Sequence, residues 1–450
     1  MYRSRTARSV LLVLALTLVA ASCGNRDEDT GSDSGGGGDT SGEATGGVVE
    51  TADCPDTGTA GIEGDTITLA SSFPQSGLTA AFAQISKGYN AYFDKLNSEG
   101  GVEVAGKKYM IEVVDKDDEY TAAKTVQNIN ELAGTDGSKA FAVFNVVGTA
   151  NNVALRENLG ANCVPNVFAG TGSPVWGNPA YPWTIGSTLA PYTIEATAFA
   201  DYLKAEKPDA KVAMLVQNDD FGAAYEEGFK AAIEGSDIEV VDVKKYEAGS
   251  NEVESQVTSL AASGADTFFN GATLLACPAA LEAAKPWGPV TFVSGTCISK
   301  TLMGIAGANA DGAFAVTNIK DPLNPAYAED EAMKEYFATL EEFGADDVDP
   351  ENGIVAYGYT QAALLVDILG SLETLDRASL MNAMYELDGL TSGLLIDGAT
   401  VTTSEDDRYL AENVQMIQYD AENGYFTNVG DVLDFEGKTA ELTPTELIEN

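Results

Sequence analysis

From Asp65 onward, short apolar runs alternate with segments of helical period, and this rhythm narrows the possible folds more than any other feature of the 450-residue chain. Ile67-Thr68-Leu69-Ala70 leads into a helical stretch at 79–96, followed by a strand at 109–114 and a helix at 122–132. In that helix Val126, Ile129, Leu132 and Ala133 fall mostly three apart. A buried strand at 140–147, a short helix at 151–159 and a strand at 164–168 complete a first run. After Ile185-Gly186-Ser187 the pattern restarts. Helices at 192–204, 221–233, 253–262 and 276–284 alternate with strands at 211–216, 238–246, 267–270 and 290–293. Such alternation predicts parallel sheets covered by helices on both faces, with ligands at the strand carboxyl ends. Two successive runs predict two lobes. A strand at 313–318 and helices near 328–342 and 354–372 have no lobe assigned by spacing alone.

Composition then removes most chemistry. The chain has no histidine, so Ser-His-Asp and Cys-His catalysis, His-ligated zinc and His-based pH switching are excluded. Lys and Arg number 25 against 69 Asp and Glu, a formal charge of −44 that would repel nucleic acid and anionic lipid. An apolar content of 44% excludes global disorder. The sequence calls for no cofactor and no metal. Gly101-x4-Gly106-Lys107 begins like a phosphate loop, but Lys108 stands where Ser or Thr is required. Asp115, Asp117 and Glu119 alternate as in a calcium loop, but Tyr120 occupies the sharp-turn glycine position.

The first 22 residues read as an export signal: Arg3, Arg5 and Arg8 precede an apolar run at 10–21, too short to cross a bilayer. Ser22-Cys23 resembles a bacterial lipobox, in which the thiol is lipidated and becomes the mature N-terminus; Ala20 replaces its usual Leu or Val. Plain secretion after Ala21-Ser22 is the alternative. Residues 23–64, with Gly35-Gly36-Gly37-Gly38, read as an acidic Gly/Ser-rich tether reaching on the order of 30 Å.

Residues 96–149, LNSEGGVEVAGKKYMIEVVDKDDEYTAAKTVQNINELAGTDGSKAFAVFNVVGT, carry Asn97, Gly100-Gly101, Gly106-Lys107, Asp117-Asp118 and Gly148 in order. With FAGTGSP at 168–174, DDFGAAYEEGFKAA at 219–232 and IAGANADGAFAVTN at 305–318, the chain resembles the branched-chain amino-acid type solute-binding proteins of ABC transporters. The resemblance implies a type I periplasmic binding fold, two doubly wound parallel-sheet lobes joined by a three-stranded hinge. It places the first lobe at 65–188 plus 318–393, the second at 189–317 plus 394–435, and leaves 436–450 as a tail. It implies a monomer, lipid-anchored on the extracytoplasmic face, that captures a small polar solute and delivers it to an importer permease without chemistry. A ligand-sensing receptor domain of the same fold is the alternative, and an exported hydrolase using Asp117-Asp118 or Asp219-Asp220 a further one.

The resemblance also implies ligand contacts. In the first lobe these are Gly77-Leu78-Thr79, Gly148-Thr149-Ala150 and Gly170-Thr171-Gly172-Ser173, loops that read otherwise as N-caps and Gly-rich turns. In the second they are Tyr192, Phe221, Thr273 and Thr296. Amino-acid binders place an acidic residue near the last of these to pair with the ligand's ammonium. Between Gly295 and Leu302 this chain has none, which makes a carboxylate or amide ligand a competitor. Four cysteines besides Cys23 allow three pairings; the lobe assignment favours Cys277–Cys297 in the second lobe and Cys54–Cys163 in the first.

Overall fold

The computed structural model describes residues 47–55 and 58–449, so the expected signal at 1–22, Cys23 and most of the tether lie outside the described residues. Two seven-stranded sheets form the frame. The first contains β1 (Ile62–Glu63), β2 (Thr66–Phe73), β3 (Val102–Val104), β4 (Lys107–Asp117), β5 (Ala142–Phe144), β6 (Asn166–Ala169) and β7 (Thr184–Gly186). It runs in the order β3-β4-β2-β5-β6-β7, with β1 antiparallel to β2. Val143, Phe144 and Val167 are fully buried, because helices cover both faces of these parallel strands. Gly106, at φ 79°, turns the hairpin between β3 and β4, so the phosphate-loop look-alike is a strand connection.

The second sheet contains β8 (Lys211–Gln217), β9 (Glu239–Tyr246), β10 (Thr267–Gly271), β11 (Val290–Val293), β12 (Phe314–Thr317), β13 (Val414–Asp420) and β14 (Tyr425–Leu433). Its order is β14-β13-β12-β11-β10-β8-β9. The antiparallel hairpin β13–β14 is absent from the sequence reading, although Val414, Met416 and Ile417 are buried against the second core.

The chain passes between the lobes at three adjacent segments, which form the hinge. Ile319 bridges Leu395, with Lys320 N–H donating to the Leu394 carbonyl at 2.8 Å and Ile396 N–H to that of Asn318 at 3.0 Å. The Asn318 amide donates to the Thr188 carbonyl, tying in the third segment. Gln361, on the helix Gly353–Ser371, donates to the Thr188 hydroxyl at 2.6 Å.

Three boundaries differ from expectation. Residues 47–55 and 58–63, read as flexible tether, are held down: Val49 is buried in the first core, its N–H donating to Asn382, and Cys54 is bonded to Cys163. Residues 395–410, assigned to the second lobe, pack on the first core through Leu395, Val401 and Leu410, and the chain joins the second sheet only at β13. The expected tail forms the short helices Thr439–Leu442 and Thr445–Glu449, with Leu447 buried. A pattern search misses these segments because their burial comes from tertiary contacts rather than from periodicity.

The helix Gly353–Ser371 is long and apolar enough to cross a membrane by composition, but 83% of that window is buried in the protein. It lies flat on the helix Gln84–Ser98, where a Cβ on Gly88 would strike the Val355 carbonyl and one on Gly358 the Ile85 carbonyl. Gly358→Val is therefore expected to lower stability by roughly 1–3 kcal/mol through overpacking, read as a reduced denaturant midpoint at unchanged slope. A midpoint equal to the parent's would show that the helices can part without cost.

Candidate ligand-binding cleft

The loops that leave the carboxyl ends of both sets of parallel strands face one another, which makes the space between the lobes the natural place for a ligand. After β5, Gly148 at φ 104° caps the helix Thr149–Ala161. A side chain there would collide with the Tyr120 ring, so the position requires glycine for space as well as for conformation. The Thr149 hydroxyl shares a 2.6 Å hydrogen bond with that of Thr171, in the loop after β6. Ser173 N–H donates to Thr171 at 3.2 Å, and Tyr192 N–H to the Gly172 carbonyl at 2.8 Å. Tyr192 opens the helix Tyr192–Glu206, and its ring stands edge-on to Phe221 at 5.0 Å. Tyr120, from the first lobe, lies beside Gln217 and Asp219 of the second.

The expected contact residues thus divide into three groups. Gly148, Thr149, Thr171, Gly172, Ser173, Tyr192 and Phe221 form one packed knot where the lobes meet. Leu78, Thr79 and Thr273 face a small gap of about 10 Å³, large enough for one water; Gly77 is exposed at its side. Gly170 and Thr296 border a larger cavity. Ala150 is exposed and joins none of them.

That larger cavity, about 110 Å³, lies toward the hinge and far exceeds what a single water needs. Phe82, Ile85 and Tyr357 wall it from the first lobe, Leu189 and Ile319 from the hinge, and Met303 and Phe426 from the second lobe. Its polar margin includes Glu195, Asn318 and Lys320. Lys320 is already paired, with Asp330 at 2.7 Å and Asp397 at 3.0 Å. Across the mouth, Lys300 of the second lobe reaches Asp349 at 3.0 Å and Glu351 at 2.7 Å of the first, a partly exposed pair that salt would weaken.

Glu195 corrects the expectation drawn from residues 295–302. Its side chain is 1% exposed and lines the cavity, and its Oε2 accepts the Gly295 N–H and the Tyr225 hydroxyl, each at 2.8 Å. A carboxyl group therefore stands against Gly295, supplied by a helix 100 residues earlier in the chain. Tyr225 also bonds Ser294 at 2.7 Å, and Ser294 bonds Thr296 at 2.8 Å, so the acid is held in a four-residue network. Burial pushes the Glu195 carboxyl up to about 8, against the two hydrogen bonds that favour its charged form. The local signal available in sequence was an acid inside the mostly apolar run Ile194–Phe199.

Three of the paired acids of the hydrolase reading, Asp117, Asp118 and Asp219, make hydrogen bonds that hold local structure. Asp117 accepts from Gln75 N–H at 2.8 Å, and buried Asp118 from Ser72 at 3.0 Å and Thr125 at 2.9 Å. Asp219 caps the helix Asp220–Ala232 through Gly222 N–H and accepts from Gln217 at 2.6 Å. Both expected disulfides are present, with Cα separations of 5.6 Å for Cys54–Cys163 and 6.3 Å for Cys277–Cys297.

Two doubly wound lobes, three hinge segments and a cavity between strand ends define a hinged solute-binding protein. The chain belongs to the periplasmic binding protein family, whose profile matches residues 66–424. It is 28% identical over 265 residues to "Leu/Ile/Val-binding protein homolog 3" of Brucella melitensis biotype 1, covering 58% of this chain and 69% of that protein. Among solved structures it is similar to a branched-chain amino-acid ABC transporter protein of Thermus thermophilus with bound valine. That match has a TM-score of 0.72 and 18% identity, covering 82% of this chain and 96% of the other. A fatty acid ABC transporter substrate-binding protein of Thermomonospora curvata matches with a TM-score of 0.72 and 20% identity, covering 86% and 96%.

Proposed function

We propose that this protein takes up a branched-chain amino acid or a closely related small amphiphile between its lobes and presents it, unchanged, to an ABC importer permease. The observation that carries the reading is the cavity itself: apolar walls from both lobes and the hinge, with the buried Glu195 carboxyl and the partly buried Asp321 carboxyl at its margin. An ammonium would pair with Glu195, and an aliphatic side chain would fill the space beside Phe82, Ile85 and Tyr357. Thr149 and Thr171, one loop away, carry the hydroxyls suited to a ligand carboxylate once the lobes part and re-close. The relatives' names support the same class of solute. The signal-like leader supports export, and Ser22-Cys23 supports a lipid anchor on the extracytoplasmic face, with the protein acting as a monomer.

A second reading has its own support: with its carboxyl protonated, Glu195 can donate to a ligand carboxylate, which suits an apolar acid or amide. The test is a thermal-shift screen with leucine, isoleucine, valine, short carboxylates and amides. A true ligand at 100 times its Kd should add about 2.7 kcal/mol of stability. Thr149→Val should weaken that ligand, and a screen in which no compound shifts the melt would defeat the proposal.

A further inference from the structure

The cavity between the lobes is long as well as apolar. Its lining begins at Glu195 and Gly295, beside the strand ends, and continues to Tyr419 and Phe426 on the hairpin β13–β14. Strand register fixes that span. β12 lies parallel to β11, so Thr317 is at its cleft end, and Thr317 stands opposite Gln415 of β13. Tyr419, four residues further along β13, stands opposite Phe426 of β14. Four residues of strand cover about 14 Å, here directed away from the cleft.

Each wall of this extension has a structural origin. Ile417 and Tyr419 are two apart on β13 and so share one face, which forms the floor. Met303, on the short helix Lys300–Ala306, closes a flank. The roof is the segment that leaves the hinge. Asp321 accepts the Phe426 N–H at 3.4 Å, and the Asn324 amide donates to the Phe426 carbonyl at 3.1 Å. Residues 321–324 are thereby stitched to β14, with Leu323 in the lining. Close-packed interiors keep few voids wider than a water molecule, so a passage of this length needs an occupant or a reason to stay open.

The far end is polar. The Asp321 carboxyl lines the passage and accepts the backbone N–H groups of Leu323, at 3.0 Å, and Phe426, but makes no ion pair among the described residues. Its neighbour Lys320 is committed to Asp330 and Asp397. One apolar passage thus has a carboxyl group at each end, Glu195 within the cleft and Asp321 beyond the hinge. A branched aliphatic side chain fills only the cleft end.

We infer that the passage is a second subsite, which takes an unbranched chain ending in a hydrogen-bond donor, an amine or hydroxyl, received by Asp321. Within the solute-binding reading, on which this rests, the tightest ligand is a linear amino acid with such a terminal group. Nothing local in the sequence announces the subsite, because its floor, flank and roof come from three distant segments.

The test is isothermal titration of the full chain at about pH 8.5 with leucine, 2-aminooctanoic acid and 2,8-diaminooctanoic acid. Kd is expected to fall at least about tenfold from leucine to the diamino compound, with 2-aminooctanoic acid between them. Asp321→Asn can still accept both N–H groups, and should bring the diamino compound level with 2-aminooctanoic acid. Leu323→Trp fills the passage and should weaken both long compounds relative to leucine. Ratios of Kd within one variant do not depend on how much of it is folded. Leucine binding best, or either variant keeping the parent's ratios, overturns the inference and leaves the reading of the cleft standing. Silence from all three compounds overturns both.

Discussion

Glu195→Gln is expected to weaken an amino-acid ligand by about 2–4 kcal/mol, roughly 30- to 1,000-fold in Kd, because it leaves the ligand's ammonium without its counter-charge in an enclosed site. The variant should fold, since glutamine can still accept from the Tyr225 hydroxyl and Gly295 N–H. The pH dependence follows from the raised carboxyl. Glu195 moves from an ordinary 4.5 to about 8 on folding, so between those values the folded chain holds a proton that the unfolded chain has released. Its contribution to stability is thus full below pH 4.5 and declines as pH rises through about 8. Binding an ammonium requires the charged form and expels that proton. Affinity should then climb by up to about tenfold per pH unit toward pH 8 and level off above it. A carboxylate ligand, which needs the protonated acid, would bind evenly below pH 8 and lose affinity above it. Isothermal titration across pH 6–9 therefore reports the ligand's charge by the sign of the slope. A flat profile would remove Glu195 from the site, and an affinity that Glu195→Gln does not alter would remove an ammonium as its partner.

The second large effect concerns the disulfides. In the chain-entropy picture the 109-residue separation between Cys54 and Cys163 confers about 4.8 kcal/mol, and the 20-residue separation between Cys277 and Cys297 about 3.3 kcal/mol. Paired Cys→Ala replacement should thus destabilise by about 3–5 kcal/mol at the first and about 2–3 kcal/mol at the second, measured by chemical denaturation. Cys277 and Cys297 are both fully buried in the second core, so their loss also removes packing. If the short loop proves the costlier deletion, local packing rather than loop closure dominates, and the expected order is wrong.

The lobes were legible in the sequence because their central strands are apolar on both faces, as in Val143-Phe144 and Phe268-Phe269, and because helical periods separate them. That the expected contact loops would gather at one edge followed, since parallel strands deliver loops to one edge. What stayed hidden was proximity between distant segments. Glu195 reads as one acid in a helix, and nothing in its neighbourhood announces Gly295 as its partner. Phe82 and Tyr357 read as core residues, and they become cavity walls only when the lobes face each other. The segment around Val49 and Cys54 has the composition of a tether, but one apolar side chain and one covalent bond hold it in place.

That bond has a mechanical consequence. Cys163 precedes β6, so it lies at the end of the first sheet opposite the cleft, and Val49 and Cys54 join the first lobe alone. Tension arriving through the leading chain is discharged into one leaf of the hinge, along a covalent route that bypasses the three crossings. The other leaf carries no load. Its swing, and hence the work of enclosing a solute, is decoupled from any pull on the chain that precedes Val49.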